Sequence, residues 1–354
     1  MLKLKSKNGE ETKGIVMRKL FCLIICLLIV FLTCACGKGT VSQVSEPVSQ
    51  TVTSEESMTS SMEESAVSEP VSVAPPSSAP VSSTAPVVSK VEAPPKKEDI
   101  KVTLPKFTYT VTDAHNARGL STKKNGFSFG VAKNGVPHNQ SVTNQKNFDS
   151  YNNVKALALD TKTQEKVMYL TFDNGYEYQN LTADILDTLK EKKVKASFFI
   201  LLSYAKQNPQ LVRRMIDEGH IVGNHSVSHP SFPTISRTKM AEEIGTLENY
   251  MREKFSYATT YFRFPSGEYS ECALELVTSI GFKSIFWSVA YADWDTSAQK
   301  GADYAFDTVT ARFHPGAVIL LHAVSKDNAD ALGRIIDEAH RQGYTFKSLD
   351  DYTF

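Results

Sequence analysis

Val167-Met-Tyr-Leu-Thr-Phe172 is a short β-rich run, and behind it Leu181, Ile185, Leu186 and Leu189 recur at helical spacing. The same alternation continues to the end of the chain. Its periodicity predicts strands at 166–172, 195–201, 220–224, 260–264, 284–290, 317–321 and 345–348. It predicts helices between them at about 181–193, 209–218, 237–255, 270–280, 302–313 and 328–342. Gly219, Gly281 and Gly343 each follow a helical run, where a C-terminal cap takes a residue free to adopt positive φ. Strands that alternate with helices imply a parallel sheet. Seven units predict an α/β protein with a distorted (β/α)7 barrel, one unit short of the common eight.

Outside residues 166–354 the chain changes character. Residues 101–165 mix apolar residues with Asn and Gly and show no clear period. They are expected to form an irregular N-terminal extension packed on the barrel. Residues 37–100 are Ser, Val, Thr, Pro, Ala and Glu, with no aromatic residue between Phe31 and Phe107. Such a segment lacks the apolar surface to offset its chain entropy, so a disordered linker is expected. Residues 1–36 carry a basic stretch ending at Lys19, then an uncharged apolar run from Leu20 to Leu32. That run is shorter than the about 20 residues of a membrane-spanning helix and reads as a signal-peptide core. Met17-Arg18-Lys19 would itself make a signal start. The run ends Leu32-Thr33-Cys34-Ala35-Cys36-Gly37, which resembles a bacterial lipoprotein signal. Cys36 is the expected lipidation site, with Cys34 the rival and an uncleaved signal anchor the alternative. Attachment to the extracytoplasmic face of a Gram-positive cell membrane follows. Only Cys272 remains for the mature body, so no disulfide framework is expected.

The formal net charge is zero, which excludes the basic excess of a nucleic-acid binder. Zero is a sum of unlike parts. Residues 1–36 hold six Lys/Arg and two Glu, residues 37–100 hold four Lys and nine Asp/Glu, and the rest hold 29 and 28. The body is therefore close to neutral.

In barrels of this kind the active site lies where the strands end. Asp173-Asn174 follow the first predicted strand, and His225 and His229 follow the third. Arg263 and Pro265-Ser-Gly267 follow the fourth, Asp293-Trp294 the fifth, and His322 ends the sixth. Each has a bland reading alone. Asp173 serves as a helix cap, Arg263 as a surface ion pair, Trp294 as core, His322 as a buried hydrogen-bonded histidine. His225-Ser-Val-Ser-His229 has the spacing that lets two imidazoles face one metal, yet such pairs are often structural. Five strand ends bearing such groups on one face favour a catalytic reading.

In this order the stretches Thr171-Phe-Asp-Asn174, His225-Ser-Val-Ser-His229, Arg263-Phe-Pro-Ser-Gly267, Asp293-Trp294 and Leu320-Leu-His322 resemble the polysaccharide deacetylase family, carbohydrate esterase family four. The resemblance covers about residues 166–350. It implies metal-dependent removal of acetyl from N-acetylated sugars. One position departs: where the family has a second aspartate as metal ligand, this chain has Asn174. Thr171-Phe-Asp-Asn-Gly-Tyr-Glu177, Trp287-Ser-Val-Ala-Tyr-Ala-Asp-Trp294 and Leu321-His-Ala-Val-Ser-Lys-Asp-Asn-Ala329 look like the subgroup of muramic acid deacetylases that form δ-lactam in spore peptidoglycan.

The resemblance implies a role for each residue. Asp173 is the base, and Arg263 orients it and keeps it ionised. His322 is the acid, held protonated by Asp293. His225, His229 and Asn174 hold a divalent metal, expected to be Zn²⁺ and weakly retained because an amide replaces a carboxylate. Trp294 and Leu320 wall the acetyl pocket, with Pro265 and Gly267 lining it. The implied partner is peptidoglycan glycan, with N-acetylmuramic acid the sugar deacetylated and a monomer the working form. Rival readings are a deacetylase for N-acetylglucosamine, chitin oligomers or acetylxylan, and a catalytically degenerate wall-binding lipoprotein.

Overall fold

β-Branched and aromatic runs separated by amphipathic stretches fold here into strands and helices that mostly alternate. The computed structural model describes residues 103–354. The expected signal peptide, linker and lipidated Cys36 lie outside the described residues. The described part begins with β1 (Asn125–Gly126), α1 (Asn139–Ser150) and β2 (Ala156–Leu157). Next come β3 (Val167–Asn174), α2 (Leu181–Lys192), β4 (Ser197–Ile200), α3 (Leu202–Gln207), α4 (Pro209–Asp217) and β5 (Ile221–Asn224). They are followed by α5 (Arg237–Phe255), β6 (Tyr261–Phe262), β7 (Glu268–Tyr269), α6 (Glu271–Ser279) and β8 (Lys283–Ile285). Last are α7 (Ala302–Thr310), β9 (Ala317–His322), α8 (Lys326–Arg341) and β10 (Thr345–Phe346). Serines start three of the helices, with Ser236, Ser270 and Ser325 accepting from the backbone N–H groups of Lys239, Ala273 and Asn328.

The main sheet is parallel, in the order β10-β3-β4-β5-β6-β8-β2, with β9 on the other ladder of β3. Closure is partial. Beyond β8 the chain leaves the ladder at Phe286 and meets β9 again at the Val289–Ile319 bridge. Ser288 N donates to Val318 O at 2.9 Å and Leu320 N to Val289 O at 2.9 Å. The seam below that bridge is filled by β2, which pairs with β8. There Asp160 N donates to Gly316 O, and a Cβ on Gly316 would lie 2.1 Å from Asp160 O, so this crossing admits only glycine.

All seven predicted barrel strands are present. The fifth is shorter than the expected 284–290, because β2 takes its hydrogen bonds up to Phe286 and the rest bends toward β9. Alternation along each strand separates two faces. Tyr169, Phe199, Ile221, Tyr261, Ile285 and Val318 fill the barrel interior with Leu157. Met168, Leu170 and Phe172 face outward and pack with the apolar faces of α2 and α8, including Ile185, Leu189, Leu332 and Ile336. Each such fully buried side chain contributes about 1.5–3 kcal/mol.

The extension is more ordered than its sequence predicts. It carries the 12-residue helix α1, whose buried residues are Ser141, Asn144, Gln145 and Phe148. Three of these four are polar, so an apolar period is absent from the sequence. The helix docks through hydrogen bonds instead. Gln145 Oε1 accepts from Ala158 N at 2.7 Å, its Nε2 donates to Ala156 O at 3.0 Å, and Asn144 Nδ2 donates to Ser128 O at 2.6 Å. Phe148 packs on Phe286 with ring centres 4.9 Å apart. β1 pairs antiparallel with β7 and thereby brings the following residues to the mouth of the barrel.

Candidate active site

Polar side chains collect at the C-terminal ends of β3, β5, β6 and β9. Asp173 faces inward from β3, and its Oδ1 accepts from Arg263 Nη1 at 2.7 Å. Arg263 lies wholly inside the barrel. It donates from Nη2 to Thr171 Oγ1 at 2.7 Å and from Nε to Ile285 O at 3.1 Å, and its guanidinium sits 4.1 Å from the ring centre of Phe199. A buried charge of this kind is tolerable only when paired. Burial alone would raise the Asp173 carboxyl. Arg263, then His225 and His322, outweigh that and hold it below the ordinary carboxylate value.

His225 and His229 sit with ring centres 4.9 Å apart. They come together through a loop in which Ser226 and His229 both adopt positive φ. Buried Glu243 on α5 holds this loop. Its Oε2 accepts from Val227 N at 3.1 Å and Ser228 N at 2.9 Å, and its Oε1 from Ser228 Oγ at 3.0 Å. His225 Nδ1 is 2.9 Å from Arg263 O, so Nδ1 carries the proton and Nε2 keeps its lone pair, 3.7 Å from Asp173 Oδ2. Burial depresses both imidazoles, His225 to about 4, against the opposing charge of Asp173. Both rings are therefore neutral at pH 7, the form that ligates metal.

Asn174 is placed differently. It follows Asp173 in the strand and so faces the helices, donating from Nδ2 to Thr182 Oγ1 at 3.2 Å. Its Oδ1 is buried with no hydrogen-bond partner in the chain. Among the described residues no cluster of three His, Cys, Asp or Glu side chains forms a complete metal cage. The two neutral imidazoles line the cavity and suit a divalent cation, whereas the Asn174 amide points to the other face of β3, so the expected third ligand is not brought to the pair.

His322 ends β9. Its Nδ1 lies 2.7 Å from Asp293 Oδ1, and Asp293 Oδ2 accepts from His322 N at 2.8 Å and from Asn328 Nδ2 at 2.6 Å. Tyr291 Oη donates to Asn328 Oδ1 at 2.6 Å, which extends the chain of hydrogen bonds. Burial alone would lower the His322 imidazole, but the hydrogen bond and charge of Asp293, with Asp173, raise it above its ordinary value. Trp294 stands edge-on to His322 at 5.8 Å between ring centres and is 58% exposed, so it is a wall open to solvent and not core.

These groups border one cavity of about 890 Å³, within the size range of ligand sites. Asp173, His225, His229, Gly267, Trp294, Leu320 and His322 line it. Pro265 is buried and does not line it. Gly267 has φ of +65°, and a Cβ there would lie 2.8 Å from Trp287, so the glycine preserves the width of the mouth. Phe127 and Phe129 from the extension also line the cavity, along with Trp287, Tyr291, Tyr304 and Arg312, none of which the strand-end pattern marks. The alternating pair Phe127-Ser-Phe129 is the one signal in the extension that pointed there.

With this geometry in place, the relatives are informative. The chain is 51% identical over 188 residues to an uncharacterised 30.6 kDa protein of Geobacillus stearothermophilus, covering 53% of this chain and 71% of that one. Residues 160–285 match the polysaccharide deacetylase family. The chain belongs to that family, whose enzymes are hydrolases acting on carbon–nitrogen bonds outside peptides. It is 45% identical over 193 residues to the peptidoglycan-N-acetylmuramic acid deacetylase PdaA of Bacillus subtilis, covering 54% of this chain and 73% of that one. The solved structure of B. subtilis PdaA, a family 4 carbohydrate esterase, superposes with a TM-score of 0.62 at 39% identity, covering 66% of this chain and 97% of that one.

Proposed function

We propose that this protein removes acetyl groups from peptidoglycan glycan, acting on N-acetylmuramic acid residues and so preparing them for δ-lactam closure. The observation that carries the reading is the pairing of a buried carboxylate, Asp173, with a carboxylate-backed imidazole, His322, across one ladder and inside one cavity. A pure binder has no need of a base and an acid with opposed shifts. The identity to a named muramic acid deacetylase supports the choice of sugar.

Asp173, ionised beside Arg263, takes the proton of the attacking water. Arg263 fixes the carboxylate and blocks its protonation. His322, protonated through Asp293, gives its Nε2 proton to the leaving amine. Asp293 sets the imidazole orientation, and Asn328 sets Asp293. Trp294 and Leu320 border the space for the acetyl methyl. His225 and His229, the two imidazoles that line the cavity, would hold a divalent metal, Zn²⁺, which when bound would polarise the acetyl carbonyl and acidify water; Asn174 faces the helices and does not join them.

The apolar run before Cys36 supports export and lipid attachment, which would place the catalytic domain at the outer membrane leaflet on a Pro-rich tether. Release of the protein from the membrane fraction by Cys36→Ala tests this anchor. The function itself is tested by mass spectrometry of muropeptides after peptide-free glycan is incubated with the Zn²⁺-loaded protein. Loss of acetyl from muramic acid residues is expected. Acetate loss confined to glucosamine residues would refute the choice of sugar.

A further inference from the structure

The described residues contain nine arginines. Arg118, Arg213, Arg214, Arg237, Arg252, Arg263, Arg334 and Arg341 each have a carboxylate within 4.0 Å. The ninth, Arg312, has none among the described residues. It follows α7, is half-buried and lines the catalytic cavity. The protein uses one of its five N–H donors, from Nη1 to Ala290 O, which leaves the others free for a ligand. Burial lowers its guanidinium from the ordinary value, and only two phenols, Tyr304 and Tyr291, oppose that effect. A cation left desolvated without an anion is a standing cost, which a bound anion relieves.

Its surroundings fit a small anion. Tyr304 and Tyr291 line the same end of the cavity, with ring centres 5.9 Å apart. Lys300 adds a second positive charge behind Tyr304, its Nζ 3.5 Å from the phenol oxygen and 4.6 Å from the ring centre. No carboxylate lies within 4.0 Å of the Lys300 ammonium among the described residues. Tyr291 also joins this corner to the acid through Asn328 and Asp293. Arg312, Tyr291 and Tyr304 line the same cavity as His225 and His229.

We propose that Arg312, with Tyr304 and Lys300 beside it, forms a subsite for a carboxylate carried by the sugar being deacetylated. This rests on the muramic acid reading, because muramic acid bears a lactyl ether on C3, next to the acetamido group on C2. A planar guanidinium pairs with a carboxylate through parallel hydrogen bonds and gains far less from an ester or amide. The subsite thus selects sugars whose lactyl group is free, and rejects both N-acetylglucosamine and muramic acid still amidated by peptide.

The test compares acetate release by the full-length protein from three glycan oligomers. One is peptide-free with free lactyl carboxylates, one is the same oligomer as its methyl ester, and one contains only N-acetylglucosamine. The wild type is expected to prefer the acid over the ester by about ten- to a hundredfold in kcat/KM, the scale of a charge-assisted hydrogen bond. Arg312→Met is expected to bring that ratio close to one, and Arg312→Lys to restore part of it. Equal use of acid and ester by the wild type overturns the subsite while muramic acid deacetylation stands. A preference retained in Arg312→Met overturns the assignment of Arg312. Acetate release from the glucosamine oligomer alone overturns both the subsite and the muramic acid reading.

Discussion

Asp173 and His322 are register partners on adjacent parallel strands, the last pair of the β3–β9 ladder. One ladder position therefore holds the base and the acid opposite each other. Their environments drive them apart: Arg263 favours the ionised carboxylate, and Asp293 favours the protonated imidazole. The geometry is rigid because both strands are buried and their backbones are fully paired there.

Asp173→Asn keeps a hydrogen-bond acceptor for Arg263 but removes the base. Acetate release is expected to fall by about 10²–10⁴-fold, while circular dichroism shows a folded protein. The melting temperature is expected to drop as well, since Arg263 then lies buried without its counter-charge. Full activity in this variant would remove Asp173 from the mechanism.

The alkaline side of the rate profile tests His322. Activity needs the imidazole protonated, so kcat/KM is expected to decline as pH rises through the raised His322 value. Asp293→Asn removes the group that raises it, and the decline is expected to shift to lower pH. The same pair affects stability with a definite sign. A folded value above the unfolded one of about 6.5 stabilises below that pH, and the contribution is lost as pH rises through the folded value. An unshifted profile in Asp293→Asn would contradict the pairing seen at 2.7 Å.

Metal retention tests Asn174. Asn174 faces Thr182 and the helices, away from His225 and His229, so Asn174→Asp is expected to leave Zn²⁺ affinity nearly unchanged. His229→Ala is expected to abolish it. Calorimetric titration of the chelator-stripped protein reads both. Affinity tightened about tenfold, or ~1.4 kcal/mol, in Asn174→Asp would put residue 174 in the ligand set.

Glu243 tests the loop that carries the histidines. Glu243→Ala leaves two backbone N–H groups and a serine hydroxyl without their acceptor. A destabilisation of about 1–3 kcal/mol is expected, measured by urea unfolding. Zn²⁺ affinity is expected to fall in parallel, because the His225–His229 spacing then has no support from α5. Wild-type affinity in a folded Glu243→Ala protein would show that the loop holds its shape unaided.

Much of this was legible in one dimension. The run Val167–Phe172 with its following helix, repeated along the chain, determined a parallel barrel, because period-2 and period-3.6 patterns are local properties of the chain. Reading only strand ends determined Asp173, His225, His229, Arg263, Asp293 and His322, because a parallel barrel directs every such end to one face. Tertiary structure alone decided the rest. The helix α1 was hidden because it docks through Gln145 and Asn144, whose hydrogen bonds leave no apolar period. The opposite facing of Asp173 and Asn174 follows from strand alternation, but which face met the cavity depended on Arg263 arriving from β6. Arg312 stands out only when every other arginine is seen to have a partner, and pairing at a distance is written in space, between residues that the sequence sets far apart.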